Sequence, residues 1–184
     1  GWAHSAQSWC HQTELCEQAS AAGYHLLLPE MQKSVYHAQR WPETRADWRQ
    51  YPTRKFITAQ LIPWAQAHGL LLPAHSNYIV GLSTGGRGAV LLGLDVPKLF
   101  KGIAALSGDY DQTQLPTDNL MKGYYGPYNQ FSTRWRTTDN PVQDHRPFLP
   151  DLYLGHGKQD AVVPVTQTKI LAQALQAPQR KPPR

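Results

Sequence analysis

The sequence predicts an α/β protein built on a mostly parallel sheet. Four short apolar runs, at residues 24–28, 78–80, 103–106 and 152–154, are typical of strands that are buried on both faces. Amphipathic helical patterns separate these runs along the chain. Alternating strands and helices favour a parallel sheet with helices packed against it.

The elements before residue 78 are predicted from their ends and their apolar faces. A helix from about residue 8 to residue 22 ends at Gly23, which suits the position after a helix, and the strand 24–28 follows. An irregular segment rich in Trp, Arg and Pro fills about 30–52. The next helix is expected to kink at Pro63 and to end at Gly69. Its buried side carries Phe56, Ile57, Leu61, Trp64 and Ala65.

Residues 81–85 read Gly-Leu-Ser-Thr-Gly, a G-x-S-x-G pattern between the strand at 78–80 and a helix of small residues from Gly86. Strand, turn and helix in this order are typical of a nucleophile elbow, which lifts a serine hydroxyl above the end of a sheet. Glycine is expected on both sides because the flanking backbones approach closely. We therefore predict that Ser83 is a nucleophile and that the N–H of Thr84 is an oxyanion donor. A glycine-rich turn without chemistry is the alternative.

After the elbow helix, a strand at 103–106 leads into a segment at 109–150 that shows no clear period. The last strand then runs into a loop that carries Asp160, and a helix starts near Thr166. An acid must orient the base that activates a serine, and Asp160 is the predicted acid. Asp109 and Asp111 are competing candidates, and an ordinary turn residue is the alternative for Asp160.

The general base is the missing partner. None of the residues after Asp160 is a histidine, so we expect the catalytic histidine beyond Arg184 in a longer protein. Within the chain, His156 and His4 are the weaker candidates, with ordinary hydrogen bonding as their alternative role.

The chain resembles the esterase D branch of the α/β-hydrolases, whose relatives include S-formylglutathione hydrolases and other small carboxylesterases. The resemblance spans almost the whole chain and is carried by residues 1–2 with the helix at Trp9, 28–30, 81–89, 97–100, 106–108, 125–126, 140–141 and 155–164. It implies one partial domain over residues 1–184, a three-layer sandwich that lacks the first strands and the last strand of the full fold.

The same resemblance implies features at both ends of the chain. A strand that precedes Gly1 belongs between the strand at 24–28 and the elbow strand. The loop at residues 1–2 supplies the second oxyanion donor, the N–H of Trp2.

Ligands bind beyond the carboxyl ends of the strands in open α/β sheets, where the segments at 30–52 and 109–150 are expected to lie. The resemblance places the first segment beside the active site, and Tyr36, Trp41 and Tyr125 are the predicted substrate contacts. Aromatic residues interleaved with arginines in the first segment leave a nucleic-acid surface as the weaker alternative. Packing alone is the alternative for the aromatic residues of the second segment.

Composition limits the partners. Hydrophobic residues make up 41% and charged residues 17% of the 184 residues, which is typical of a folded domain, and the net charge of +5 is spread thinly. No apolar run approaches the roughly 20 residues that span a bilayer. We expect a small ester or thioester as substrate, without cofactor, metal, nucleic acid or membrane span, and leave a homo-oligomer open.

Cys10 and Cys16 are the only cysteines, and the sequence places them on different faces of one helix. We therefore expect packed thiols rather than a disulfide, and a cytoplasmic location.

Together, these features predict a serine hydrolase that passes an acyl group to water through an acyl-enzyme on Ser83. A catalytically inactive binding module and an acyltransferase are the alternatives, because one elbow does not separate these outcomes.

Overall fold

A computed structural model describes residues 1–48, 52–148 and 150–177. A parallel sheet lies at its centre, in the order β1 (Asn77–Leu82), β2 (Phe100–Leu106) and β3 (Asp151–Gly155). Both neighbouring pairs are parallel. The predicted α/β class is confirmed, and three of the four predicted strands are present, each longer than its apolar run.

Helices flank and extend this sheet. Within the described residues they are α1 (Ser8–Gln12), α2 (Leu15–Ala21), α3 (Thr53–Phe56), α4 (Ile62–Ala67), α5 (Thr84–Asp95), α6 (Asn119–Tyr125), α7 (Tyr128–Thr137) and α8 (Thr166–Gln176). A π-helical turn (Ile57–Leu61) joins α3 to α4 and ends two residues before Pro63. The turn lies where proline, which has no N–H, interrupts the helical hydrogen bonds.

Helix α5 is the central helix of the fold. It packs against β1 and β2, and residues 84–94 are all buried. Small residues in its first turns let the helix approach the sheet closely. The core around it includes Val90, Leu92, Ile103, Ala105 and Leu171.

The opposite face of the sheet is open in the described part of the chain. Tyr78, Val80, Leu82 and Tyr153 point to this face and are exposed. A cleft of about 1080 Å³ runs along β1, and its walls include residues 22–29. One helical layer is therefore present here, on the α5 side of the sheet.

The strand predicted at residues 24–28 does not form, which corrects that expectation. No ladder partner lies beside this segment among the described residues, since the cleft separates it from β1. A strand needs a neighbour to satisfy its backbone groups. The aromatic rings of Tyr24 and Tyr78 nevertheless meet edge to face, with their centroids 6.0 Å apart.

The helix predicted at residues 8–22 is divided into α1 and α2, and its two cysteines form a disulfide. Thr13 takes an extended conformation at the end of α1, and its hydroxyl accepts a hydrogen bond from the N–H of Leu15. The break brings the Cα atoms of Cys10 and Cys16 to 5.1 Å, within the usual range for a disulfide. The expectation of two free thiols was wrong because it assumed one continuous helix.

The segment at 109–150 is more regular than its sequence suggests. It contains a short 3-10 turn (Gln112–Gln114), α6 and α7. Aromatic packing holds these helices, and the cluster includes Val35, Trp48, Met121, Tyr124, Tyr125 and Trp135. The segment at 30–48 forms neither helix nor strand, as expected, while residues 49–51 and 149 lie outside the described part.

Candidate active site

Ser83 occupies the turn between β1 and α5. Its φ of 57° and ψ of −124° are rare for a residue with a side chain, and such strain is typical of functional turns. The N–H of Ser83 donates to the carbonyl of Leu106 on β2 at 2.8 Å, which fixes the turn against the sheet. The serine is half-buried at the N-terminus of α5. This is the strand-turn-helix geometry that the sequence predicts.

Crowding explains two of the glycines around the turn. A Cβ at Gly81 would overlap the carbonyl of Gly85, and a Cβ at Gly86 would lie 2.8 Å from the carbonyl oxygen of Leu106. A Cβ at Gly85 would meet nothing closer than 3.9 Å. The second crowded position is therefore Gly86, whereas the sequence pattern predicts Gly85.

One predicted oxyanion donor directly follows Ser83 in the chain, and the other follows Gly1. Thr84 is buried in the first turn of α5, where backbone N–H groups have no partner within the helix. Gly1 lies beside the carbonyl of Leu82 and near Gly85. Trp2 follows it, and its ring packs edge to face on Trp48 at 5.0 Å between centroids. The first residues of the chain thus lie next to the turn that carries Ser83.

The carboxyl ends of the three strands bring the predicted acid to the same edge. The N–H of Ser83 bonds to Leu106, and the N–H of Ser107 bonds to the carbonyl of Gly155 at 2.8 Å, so the ladder continues past the strand ends. Ser107 has a positive φ of 45°, and its side chain lies near Asp160, where it helps to lower the pKa of that carboxyl. Sequence reasoning missed Ser107; the signal was a Ser-Gly pair directly after a strand.

Backbone groups hold the carboxylate of Asp160. Its Oδ1 accepts hydrogen bonds from the N–H groups of Val162 and Val163, both at 2.9 Å. The bonds from Val163 and then Val162 lower the pKa of this carboxyl below its usual range. Asp160 is thus ionised at neutral pH, as an acid that orients a histidine must be.

His156 is engaged on both ring nitrogens. Its Nε2 lies 2.8 Å from the carbonyl of Val163 and its Nδ1 lies 2.7 Å from the hydroxyl of Thr168. These bonds leave neither nitrogen open to take the proton of Ser83. The other candidate, His4, is exposed on the loop beside Gly1, and no side-chain hydrogen bond joins it to Ser83 among the described residues.

The competing acids belong to a buried polar network. Asp109 accepts from the guanidinium of Arg87 at 3.1 Å. Asp111 caps the 3-10 turn through the N–H of Thr113 and also accepts from Asn140. Burial raises the pKa of the Asp109 carboxyl, opposed by the charge of Arg87. Both carboxylates therefore bind partners inside the protein.

The three predicted substrate contacts lie in different surroundings. Tyr36 is half-buried against Gly88 of α5, and burial raises the pKa of its hydroxyl to about 12. Trp41 lies under the guanidinium of Arg134, which is 4.0 Å from the ring centroid. Tyr125 is fully buried, and its hydroxyl donates to Asp139 at 3.0 Å. Tyr36 lies against α5, and the buried side chain of Tyr125 lies beside Arg87 of the same helix.

The described residues contain no group of three histidines, cysteines or acids that could hold a metal ion. In that same part of the chain, every helix is too short or too polar to cross a membrane.

Sequence comparison identifies the family. The family described as "Putative esterase" matches residues 16–181, which is most of the chain. The chain belongs to this esterase family. Its segment from the second cysteine through β3 and α8 is therefore that of an esterase-family protein. No curated protein matches the chain.

Several solved structures share the fold of this esterase-family chain. FphF, a fluorophosphonate-binding serine hydrolase of Staphylococcus aureus, is 15% identical with a TM-score of 0.70, covering 95% of this chain and 68% of its own. Prolyl oligopeptidase B of Galerina marginata is 18% identical with a TM-score of 0.59, covering 72% of this chain and 20% of its own.

A puromycin hydrolase is 18% identical with a TM-score of 0.53, covering 65% of this chain. The chain spans 19% of that protein's length. At such identities the likeness establishes the α/β-hydrolase fold.

Proposed function

We propose that this chain belongs to a serine hydrolase that cleaves carboxylic esters or thioesters through an acyl-enzyme on Ser83. The observation that supports this most is the strained backbone of Ser83 at the N-terminus of the buried helix α5. A positive φ at a serine costs about 1–3 kcal/mol and persists where the surrounding structure requires it.

In the proposed reaction, Ser83 attacks the carbonyl carbon of the substrate while a histidine takes the hydroxyl proton. The N–H groups of Thr84 and Trp2 stabilise the negative oxygen of the tetrahedral intermediate, and Asp160 orients the histidine. Collapse of the intermediate releases the alcohol or thiol, which receives that proton. Water then attacks the acyl-enzyme and releases the acid. We expect the histidine from outside the described residues, since His156 is engaged elsewhere.

A fluorophosphonate probe tests the nucleophile on the full-length protein. We expect labelling at Ser83, loss of labelling in Ser83→Ala, and unchanged labelling in Ser76→Ala, a matched control on an exposed serine. A folded full-length protein that the probe does not label would contradict the proposal and favour an inactive binding module. Product analysis with added alcohols distinguishes a hydrolase from an acyltransferase.

The compartment is a second proposal. The cytoplasmic expectation rested on free cysteines, and the Cys10–Cys16 disulfide favours an oxidising environment instead. Mass spectrometry of non-reduced peptides from the native source tests this, because two free thiols would contradict it.

A further inference from the structure

The ring of His156 connects the end of β3 to the loop that follows it and to α8. It lies just past the end of the strand, and its side chain is only 2% exposed. Nε2 lies 2.8 Å from the carbonyl of Val163, later in the loop, and Nδ1 lies 2.7 Å from the hydroxyl of Thr168 on α8. A carbonyl can only accept, so Nε2 carries the proton. A neutral ring then satisfies both bonds, since its Nδ1 accepts from Thr168.

Val163 links this ring to the predicted acid. The N–H of Val163 donates to Oδ1 of Asp160 at 2.9 Å, while its carbonyl accepts from His156. The Nε2 of His156 also lies 3.5 Å from Oδ2 of Asp160. The position of this carboxylate therefore depends on a residue that His156 holds in place.

The loop has little else to fix it. Residues 157–159 are exposed, and Val162 is 86% exposed, so its apolar surface contributes little to its order. The side chain of Val163, which is buried, and the hydrogen bonds around Asp160 are the anchors that remain.

We propose that His156 is a positioning residue, which holds the carboxylate of Asp160 in its working geometry through Val163. The inference rests on the proposed function, in which Asp160 orients the general base. It differs from the idea that His156 is itself the base, because both of its nitrogens are used to shape the loop. An acid displaced by about 1 Å loses much of its effect on rate, while substrate binding is little changed.

A double-mutant cycle on the full-length protein tests this. His156→Leu removes both hydrogen bonds and keeps a buried apolar volume, Asp160→Ala removes the acid, and p-nitrophenyl acetate reports turnover. We expect His156→Leu to lower kcat at least tenfold with KM changed less than twofold. In the Asp160→Ala background the same change should have no further effect, because a residue that acts through Asp160 has nothing left to position. His145→Leu, at an exposed histidine, is the matched control.

The outcomes separate the two proposals. An equal loss of kcat with and without Asp160, or no loss at all, overturns the role of His156 while the proposed function stands. A folded wild-type protein without Ser83-dependent hydrolysis overturns the proposed function and this inference with it. If His156→Leu does not fold, Thr168→Val, which removes only the bond to Nδ1, enters the same cycle with the same criteria.

Discussion

The guanidinium of Arg87, one turn after Ser83 in α5, is fully buried and donates to both the carboxylate and the backbone carbonyl of Asp109 at 3.1 Å. The same side chain also donates to Gln112 and to the carbonyl of Asp139. One cation under the elbow thus joins α5 to the segment after β2 and to the end of α7. Arg87 thus links the helix that begins at the candidate nucleophile to buried polar groups of the core.

Replacing Arg87 with Met should strongly destabilise the fold. The loss leaves the carboxylate of Asp109 buried without its partner, which costs about 3–5 kcal/mol in comparable cases. Urea unfolding measures the free energy of unfolding. Arg136→Met is the control, because Arg136 is exposed on α7 and bonds only to Ser132 in the described contacts. A difference between the two variants below about 1 kcal/mol would contradict a structural role for this ion pair.

Gly81→Ala should distort the turn that carries Ser83. Its methyl group would overlap the carbonyl of Gly85, which belongs to the backbone of a buried helix and cannot move alone. We expect the free energy of unfolding to fall by about 1–3 kcal/mol. We also expect fluorophosphonate labelling at Ser83 to be lost. At Gly157, a Cβ would meet only atoms 4.0 Å away, so Gly157→Ala should keep the stability of the wild type. Equal stability of the two variants would argue against a crowded elbow.

The parts of the fold that the sequence predicted are those set by local pattern. The turn at residues 81–85, β1 and α5 follow from an apolar run, a glycine-rich pentapeptide and small residues that fit a close approach. The disulfide did not follow, because it depends on an extended Thr13 that no helical period reveals. Helices α6 and α7 were missed for a related reason: they are short and are held by tertiary packing around Trp135.

Site residues divide in the same way. Ser83 and Thr84 lie in the turn that the motif predicts, and their chemical roles stay predictions. Ser107 follows β2 and Asp160 follows β3, so only the folded sheet shows these two residues together. The partners of His156 lie further along the chain, at Val163 and Thr168. One feature of the sequence indicated that Arg87 is buried: it is the only charged residue among the small residues that begin α5. Its partners lie more than 20 positions away in the chain.

Removing the Cys10–Cys16 disulfide should loosen α1 and α2 more than the rest of the protein. Neither helix has a buried residue, and helices of five and seven residues are marginal on their own. A closed loop this short is worth about 2 kcal/mol in the chain-entropy view. Hydrogen exchange on a Cys10→Ser, Cys16→Ser double variant should show faster exchange at residues 8–22 and little change in α5. Dithiothreitol should produce the same pattern in the wild type and none in the double variant.

His37 should make stability depend on pH between neutral and mildly acidic conditions. The side chain is fully buried, and its Nε2 has no hydrogen-bond partner among the described residues. Burial lowers the pKa of His37 from 6.5 to about 4. Between these values the unfolded chain binds a proton that the folded protein does not, so the free energy of unfolding falls as pH decreases from about 7 to 4. Each pKa unit of this difference is worth about 1.36 kcal/mol, so His37 lowers the free energy of unfolding by about 3 kcal/mol over this pH range.

His37→Leu should remove that part of the pH dependence, while His145→Leu, at an exposed histidine, should retain it. Urea unfolding at pH 7, 5.5 and 4 measures the slope for each protein. His37 stays neutral in the folded protein, where its ring lies 4.6 Å from that of Tyr124 between centroids. Identical slopes for His37→Leu and the wild type would show that the folded protein takes up this proton as readily as the unfolded chain does.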